Sequence, residues 1–361
     1  MGVADKPIPV FGNSDCVEFL EKWLERVKQG DVSHVVICIA THAHIQGDSC
    51  GTIANQLEMT TALRMMQQKV DELCAQRLAP RDESIGADQV CYNLSAGVLS
   101  FDSLPWLINA EMHRIRRGAP GPLKIQFYRN YGDKLVFIKY HKEMFEQVLC
   151  PLTEMIGAEI NNVVGGAGYF SSTYKEVAMA SLAGEKVPKL KPNPEILDIV
   201  SRGVDEPITI TLREADHYPH RNSNLKAWVQ FAKDLTDKGE DVIFIRDTAK
   251  ANETIEGVQV YPQASTCLHT RLALYSRAKH NFFISNGPAS LNFHLDNPMT
   301  MFIEIDYEQR QFYRPGWPDW WKDHHGIKVG ENFPWFNAQQ NFVWKTDSYE
   351  NINEAWEQCQ R

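Results

Sequence analysis

The run Asn281-Phe282-Phe283-Ile284-Ser285-Asn286-Gly287-Pro288-Ala289-Ser290-Leu291 constrains the fold of this chain more than any other segment. Phe282, Phe283 and Ile284 form an apolar stretch too short for a helix and bounded by turn residues, which predicts a buried strand. Asn286 suits a helix cap, Gly287 lets another group approach the backbone closely, and Pro288 fits a first helical turn, where no N–H is needed. A strand that turns directly into a helix is a unit of α/β proteins. Open sheets of that class bind anions at this point, because free N–H groups and the positive end of a helix dipole face the ligand. The alternative is an ordinary strand–helix connection that binds nothing.

The rest of the C-terminal half repeats the theme. Ile208–Leu212, Asp241–Ile245, Val258–Tyr261 and Met299–Ile303 read as strands, and Leu225–Leu235 and Thr266–Ala278 as helices. Strands alternating with helices predict a mainly parallel sheet covered on both faces. The first half opens with an amphipathic helix from Ser14 to Lys28, on which Phe19, Leu20, Trp23, Leu24 and Val27 share a face. A strand, His34–Ala40, a glycine-bearing loop, Thr41–Gly51, and a helix, Thr52–Ala75, then make a Rossmann-like beginning. In the middle, Gln89–Leu94, Leu123–Tyr128 and Ile160–Val164 are expected as strands, and Leu104–Arg117 and Lys142–Ile156 as helices. Gly165-Gly166-Ala167-Gly168 lacks the third spaced glycine of a dinucleotide fingerprint and reads as the turn between domains. The expected fold is therefore α/β, with two Rossmann-like domains at 1–165 and 166–306 facing each other across a cleft. A tryptophan-rich segment at 307–361 is expected to pack back across them and to end in a helix at Ile352–Gln358.

Net charge is −9, which argues against a nucleic-acid polymer as partner but leaves small anions open, since a few local arginines decide that. No segment has the apolar length to span a membrane, and the first residues carry no basic-then-apolar signal. The eight cysteines contain no CxxC pair and read as reduced, mostly buried thiols, so a cytoplasmic protein is expected.

The loop after Ile208–Leu212, Arg213 to Asn224, places Arg213, Glu214, Asp216, His217, His220 and Arg221 at the carboxyl end of a strand. Charged groups are costly inside a sheet and natural in a ligand crevice. Arg213 and Arg221 have the planar fork that suits a diphosphate; the alternative is a solvated loop with surface ion pairs. His42 and His44 alternate on a strand-like loop, but no further ligand set completes a metal site, and none is expected. His217 and His220 read as hydrogen-bonded loop residues, His294 as packed, His324 and His325 as surface cover, and Arg271 and Arg277 as a solvated helix face.

The serial order of Ile208–Arg213, Asp241–Asp247, Thr266–Arg271 and Ser285–Leu291 resembles the nucleotide-binding half of GT-B glycosyltransferases, in particular the fucosyltransferase-like and heptosyltransferase-like groups. Gly51-Thr52-Ile53-Ala54-Asn55-Gln56-Leu57 is similar to an early segment of the fucosyltransferase-like proteins. The resemblance implies a nucleotide-diphosphate sugar as donor, a glycan or small hydroxyl compound as acceptor, and no metal or other cofactor. It sets the diphosphate against Arg213 and the helix start at Asn286, Gly287 and Ser290, with Arg221, by its fork, and Ser285, beside the turn, as further candidate contacts. The base and ribose go near Asp247, Ser265 and His269, and the acceptor faces His42–Gly51. Positive groups would steady the departing nucleoside diphosphate, and a carboxylate or histidine would take the acceptor proton. Asp48 and His44 are equal candidates for that base, with His42 and Asp216 behind them. A polysaccharide pyruvyltransferase, a nucleotide-sugar epimerase and a non-catalytic nucleotide- or glycan-binding protein can share this architecture.

Overall fold

The computed structural model describes residues 88–94, 99–128, 139–161, 170, 172–304 and 317–360, all within the unit Ser84–Arg361. The expected elements between Ser14 and Ala75, the His42–Gly51 loop and the Gly165–Gly168 turn lie outside the described residues.

Two parallel sheets organise the unit. The smaller has the order β1-β2-β3, with β1 at Gln89–Asn93, β2 at Lys124–Tyr128 and β3 at Glu159–Ile160. The helix Leu104–Arg116 links β1 to β2 and buries Leu104, Leu107, Ile108 and Met112 against the core. The helix expected over Lys142–Ile156 runs as Lys139–Met144, a π-helical turn Phe145–Leu149, and Cys150–Met155. Pro151 accounts for the interruption, since it has no N–H to continue the ladder.

The larger sheet contains β4 (Ile208–Thr211), β5 (Val242–Ile245), β6 (Gln259–Val260), β7 (His280–Ile284), β8 (Met299–Phe302) and β9 (Gln340–Val343), all parallel. Its spatial order is β6-β5-β4-β7-β8-β9. Counted from β4, this is the doubly wound order 3-2-1-4-5-6, whose switch point lies between β4 and β7.

Both faces of the sheet are buried, and β4 reads accordingly. Ile208 and Ile210 join Trp228, Phe231 and Phe282 on one face. On the other, the Thr209 hydroxyl donates to Asn281 Oδ1 at 2.6 Å and Thr211 pairs with the Tyr275 hydroxyl at 2.8 Å. The helix Leu225–Asp237 covers the first face, and Leu268–Arg277 packs its buried residues on the second. Hydrophobic burial on both sides is the main source of stability for such a layer.

The helices Tyr174–Leu182, Pro194–Gly203 and Trp317–His325 and the edge strand β9 were not legible in the sequence. The aromatic segment does more than cover a surface, because β9 within it pairs with β8. The helix expected over Thr266–Ala278 forms as Leu268–Arg277, and a short helix, Pro262–Thr266, precedes it with Cys267 extended between them. Cys267 is exposed, against the expectation of buried thiols; Cys91, Cys150 and Cys359 are half-buried. No helix among the described residues is long and apolar enough to cross a membrane.

Candidate functional site

Register decides what meets at the switch point. Thr211 pairs with Ile245 on one side and with Phe283 on the other. Arg213, Asp247 and Ser285 each follow two residues later, so they emerge level at the carboxyl edge of the sheet. A cleft of about 830 Å³ opens there. Of the residues expected at a ligand site, Arg213, Arg221, Asp247, Ser285, Asn286, Gly287 and Ser290 line it, and so do His217 and His220.

Arg213 does not present a free fork to this cleft. Its Nη1 donates to the Tyr218 carbonyl (3.0 Å) and to Asn222 Oδ1, and its Nη2 to the His217 carbonyl (2.8 Å). The side chain is buried and closes the loop on itself. Tyr218 sits at φ 54°, a left-handed conformation that a non-glycine residue holds only at a cost, and the Arg213 contact helps fix it. Its positive charge still borders the cleft, but the bidentate grip expected of it goes to its own loop. Arg221 reaches across the switch point, its Nη2 donating to the Ser285 carbonyl at 3.3 Å. Asp247 ties β5 to β4 by accepting from the Glu214 N–H through Oδ2. Glu214 itself forms a buried bidentate pair with Arg246, so it is structural rather than an open anion.

The Ser285–Ser290 turn forms as its residues suggest. Asn286 Oδ1 accepts from the Ala289 N–H at 3.1 Å, the cap expected of it, and the Ser290 hydroxyl donates to the Gly287 carbonyl at 2.7 Å. The helix beyond is only Ala289–Asn292, so the dipole expected to face an anion is that of a single turn.

Other expectations meet different environments. Ser265 and His269 are not among the residues lining the cleft. The Ser265 carbonyl accepts from Thr248 and Arg271, and His269 Nε2 lies 3.1 Å from Glu154 Oε2. Asp216 is exposed and outside the lining. Arg271, expected on a solvated face, is buried and donates to the Ala264 and Ser265 carbonyls, holding the short helix before it. His294 is packed, as expected. Asp48, His44 and His42 lie outside the described residues. Among the described residues no three His, Cys, Asp or Glu side chains cluster as a metal would require.

The opposite wall of the cleft was missed by sequence reasoning. Phe101 and Asp102 come from the turn that opens helix Leu104–Arg116, Tyr174 from the start of Tyr174–Leu182, and Trp321, His324 and His325 from Trp317–His325. His324 and His325, expected to cover surface, face the cleft. One signal was available: Ser100–Pro105 lies between an expected strand and an expected helix, the same kind of junction as Ser285–Ser290. Burial, and then the Asp102 carboxylate, push the Tyr174 hydroxyl well above its ordinary pKa; burial pulls His325 down to about 3, keeping it neutral.

No protein-family model and no curated protein matches the chain by sequence. Among solved structures it is similar to the glycosyl transferase family 9 protein from Veillonella parvula, at 11% identity and a TM-score of 0.39, over 74% of this chain and 89% of that one. It is also similar to the E. coli heptosyltransferase WaaC bound to ADP-2-deoxy-2-fluoro heptose (11% identity, TM-score 0.41, 75% of this chain, 99% of that one). A third similarity is to the UDP-GlcNAc 2-epimerase of Methanocaldococcus jannaschii (11% identity, TM-score 0.31, 75% and 92%).

Proposed function

We propose that the protein is a GT-B-type glycosyltransferase that moves a sugar from a nucleotide-diphosphate sugar to a hydroxyl of a glycan or small acceptor in the cytoplasm. One observation carries this reading. The cleft coincides with the switch point of a 3-2-1-4-5-6 parallel sheet, the place where such sheets bind nucleotides. In this reading residues 166–306 hold the donor and 1–165 the acceptor.

Arg221 and the charge of Arg213 stabilise the departing diphosphate, together with backbone N–H groups of the Asn286–Gly287 turn. With these groups in place the transfer needs no metal. Asp247, at the end of β5, receives the ribose. The acceptor proton goes to a carboxylate or histidine: Asp102, which lines the cleft, joins the sequence candidates Asp48 and His44 for that role.

A thermal-shift screen against ADP, GDP, UDP, CMP and their sugar conjugates, with and without Mg²⁺, tests the reading. A ligand of the native state raises Tm by mass action, so one selective shift names the base. Product analysis then separates transfer to an acceptor from release of an altered sugar nucleotide, which an epimerase would give. No shift with any nucleotide sinks the proposal.

A further inference from the structure

The two walls of the cleft differ in chemistry. Among the described residues, the lysine and arginine side chains lining it are Arg213 and Arg221, both on the loop after β4. The other wall is aromatic: Tyr174 lies 5.9 Å from Phe293 and 6.0 Å from His325, whose ring is 4.4 Å from Trp321. Tyr174 is held rigidly. Its ring stacks on His294 at 5.8 Å and 26°, and His294 stacks in turn on Trp335 at 5.9 Å and 19°. His294 is itself anchored through Nδ1 to the Pro188 carbonyl at 3.1 Å.

At the tip of that fixed ring, the Tyr174 hydroxyl is buried with no hydrogen bond of sound geometry. Its polar neighbour is the Ser290 hydroxyl, whose proton is already directed to the Gly287 carbonyl. An unsatisfied buried hydroxyl destabilises the protein, and a ligand that pairs with it removes that cost. Burial, and then the Asp102 carboxylate, keep Tyr174 protonated, so it acts as a donor. The same carboxylate repels a phosphate and suits a neutral polyol. Aromatic walls with a few placed polar groups are the usual setting for such a ligand.

Resting on the nucleotide-sugar reading of the cleft, we infer that its aromatic end is the sugar subsite and that Tyr174, with Ser290 beside it, selects the sugar through one of its hydroxyl groups. The diphosphate lies at the arginine wall and the sugar carbons against the rings of Phe293, Trp321 and His325. Tyr174 is a specificity residue and takes no part in bond breaking.

Tyr174→Phe removes the hydroxyl and keeps the stacked ring. Calorimetric titration of the wild type and the variant with ADP, GDP and UDP, and with the hexose conjugate of each, gives the test. The expected result is about tenfold weaker binding of the sugar conjugate with unchanged binding of the bare nucleoside diphosphate. Equal loss of both, or no loss of either, overturns the sugar subsite alone. A wild-type protein that binds none of the nucleoside diphosphates overturns the transferase reading and the subsite with it. If Tyr174→Phe does not fold, Ser290→Ala is read against the same two outcomes.

Discussion

Gly287 and Phe101 meet so closely that a Cβ built on the glycine stands 2.7 Å from Cδ2 of the ring and 3.2 Å from the Cβ of Phe101. Phe101 belongs to the turn after β1, and Gly287 to the turn after β7. The contact joins the two walls of the cleft, and it explains why a glycine stands there: approach of a neighbour, not an unusual φ, demands it.

Gly287→Ala should therefore cost about 1–3 kcal/mol, the usual range for overpacking, because the near end of the Phe101 side chain cannot swing away freely. Urea denaturation checks it. Adding Phe101→Ala should recover part of the loss, and strictly additive effects would mean that the two residues do not touch.

Arg213 and Arg221 should separate on mutation. Arg213→Ala removes the hydrogen bonds that close the 213–222 loop, so both Tm and nucleotide binding should fall. Arg221→Ala removes one long bond to Ser285 and should weaken nucleoside diphosphate binding about tenfold with little change in Tm. Unaltered binding in the Arg221 variant would count against its place at the diphosphate.

Asp102→Asn keeps the shape of the cleft wall and removes the carboxylate. If Asp102 takes the acceptor proton, kcat should drop by about 10²–10⁴ while donor binding persists. A drop of less than threefold, with rate loss appearing instead in Asp48 or His44 variants, would move the base to the N-terminal residues.

Glu214 and Arg246 form a pair with 8% and 6% of their side chains exposed. Glu214→Ala removes the bidentate partner of a buried guanidinium and leaves it Glu253 alone, its carbonyl at 3.0 Å and its exposed carboxylate at 3.5 Å. It should therefore cost about 1.5–3 kcal/mol, whereas replacing both partners with apolar residues should cost less. Equal losses in the single and double variants would show that shape, not charge, sets the cost.

Acid should weaken the fold before the carboxylates titrate. Burial lowers His280 and His294 from 6.5 to about 3. Between those values the unfolded chain binds a proton at each site that the folded chain refuses, so stability falls as pH falls. Each histidine contributes about 1.4 kcal/mol per pH unit well below 6.5, and nothing above it. Tm measured from pH 7 to 5 should decline, and His280→Gln should make the decline shallower. An unchanged slope in that variant would refute the assignment.

Much of the fold was legible because its signals are local. The Ile/Thr alternation of β4, the apolar runs of β5, β7 and β8, and the cap, glycine and proline of Asn286–Pro288 each act within a few residues. β9 was not, since Gln340–Val343 carries a polar pair and becomes a strand by pairing with β8. The short helix Pro262–Thr266 ahead of Leu268–Arg277 was not legible either: hydrogen bonds from the buried Arg271 to the Ala264 and Ser265 carbonyls hold it, and sequence does not announce them.

The sequence by itself determined the α/β class and that Arg213, Asp247 and Ser285 each stand just past the end of a strand, because hydrophobic period and turn chemistry are properties of short segments. Only the tertiary structure decided that Arg213 binds its own loop and that Phe101, Asp102, Tyr174 and His325 form the facing wall. The first is a choice of side-chain rotamer within one loop, and the second joins residues far apart in the chain; burial and packing, rather than any local preference, decide both.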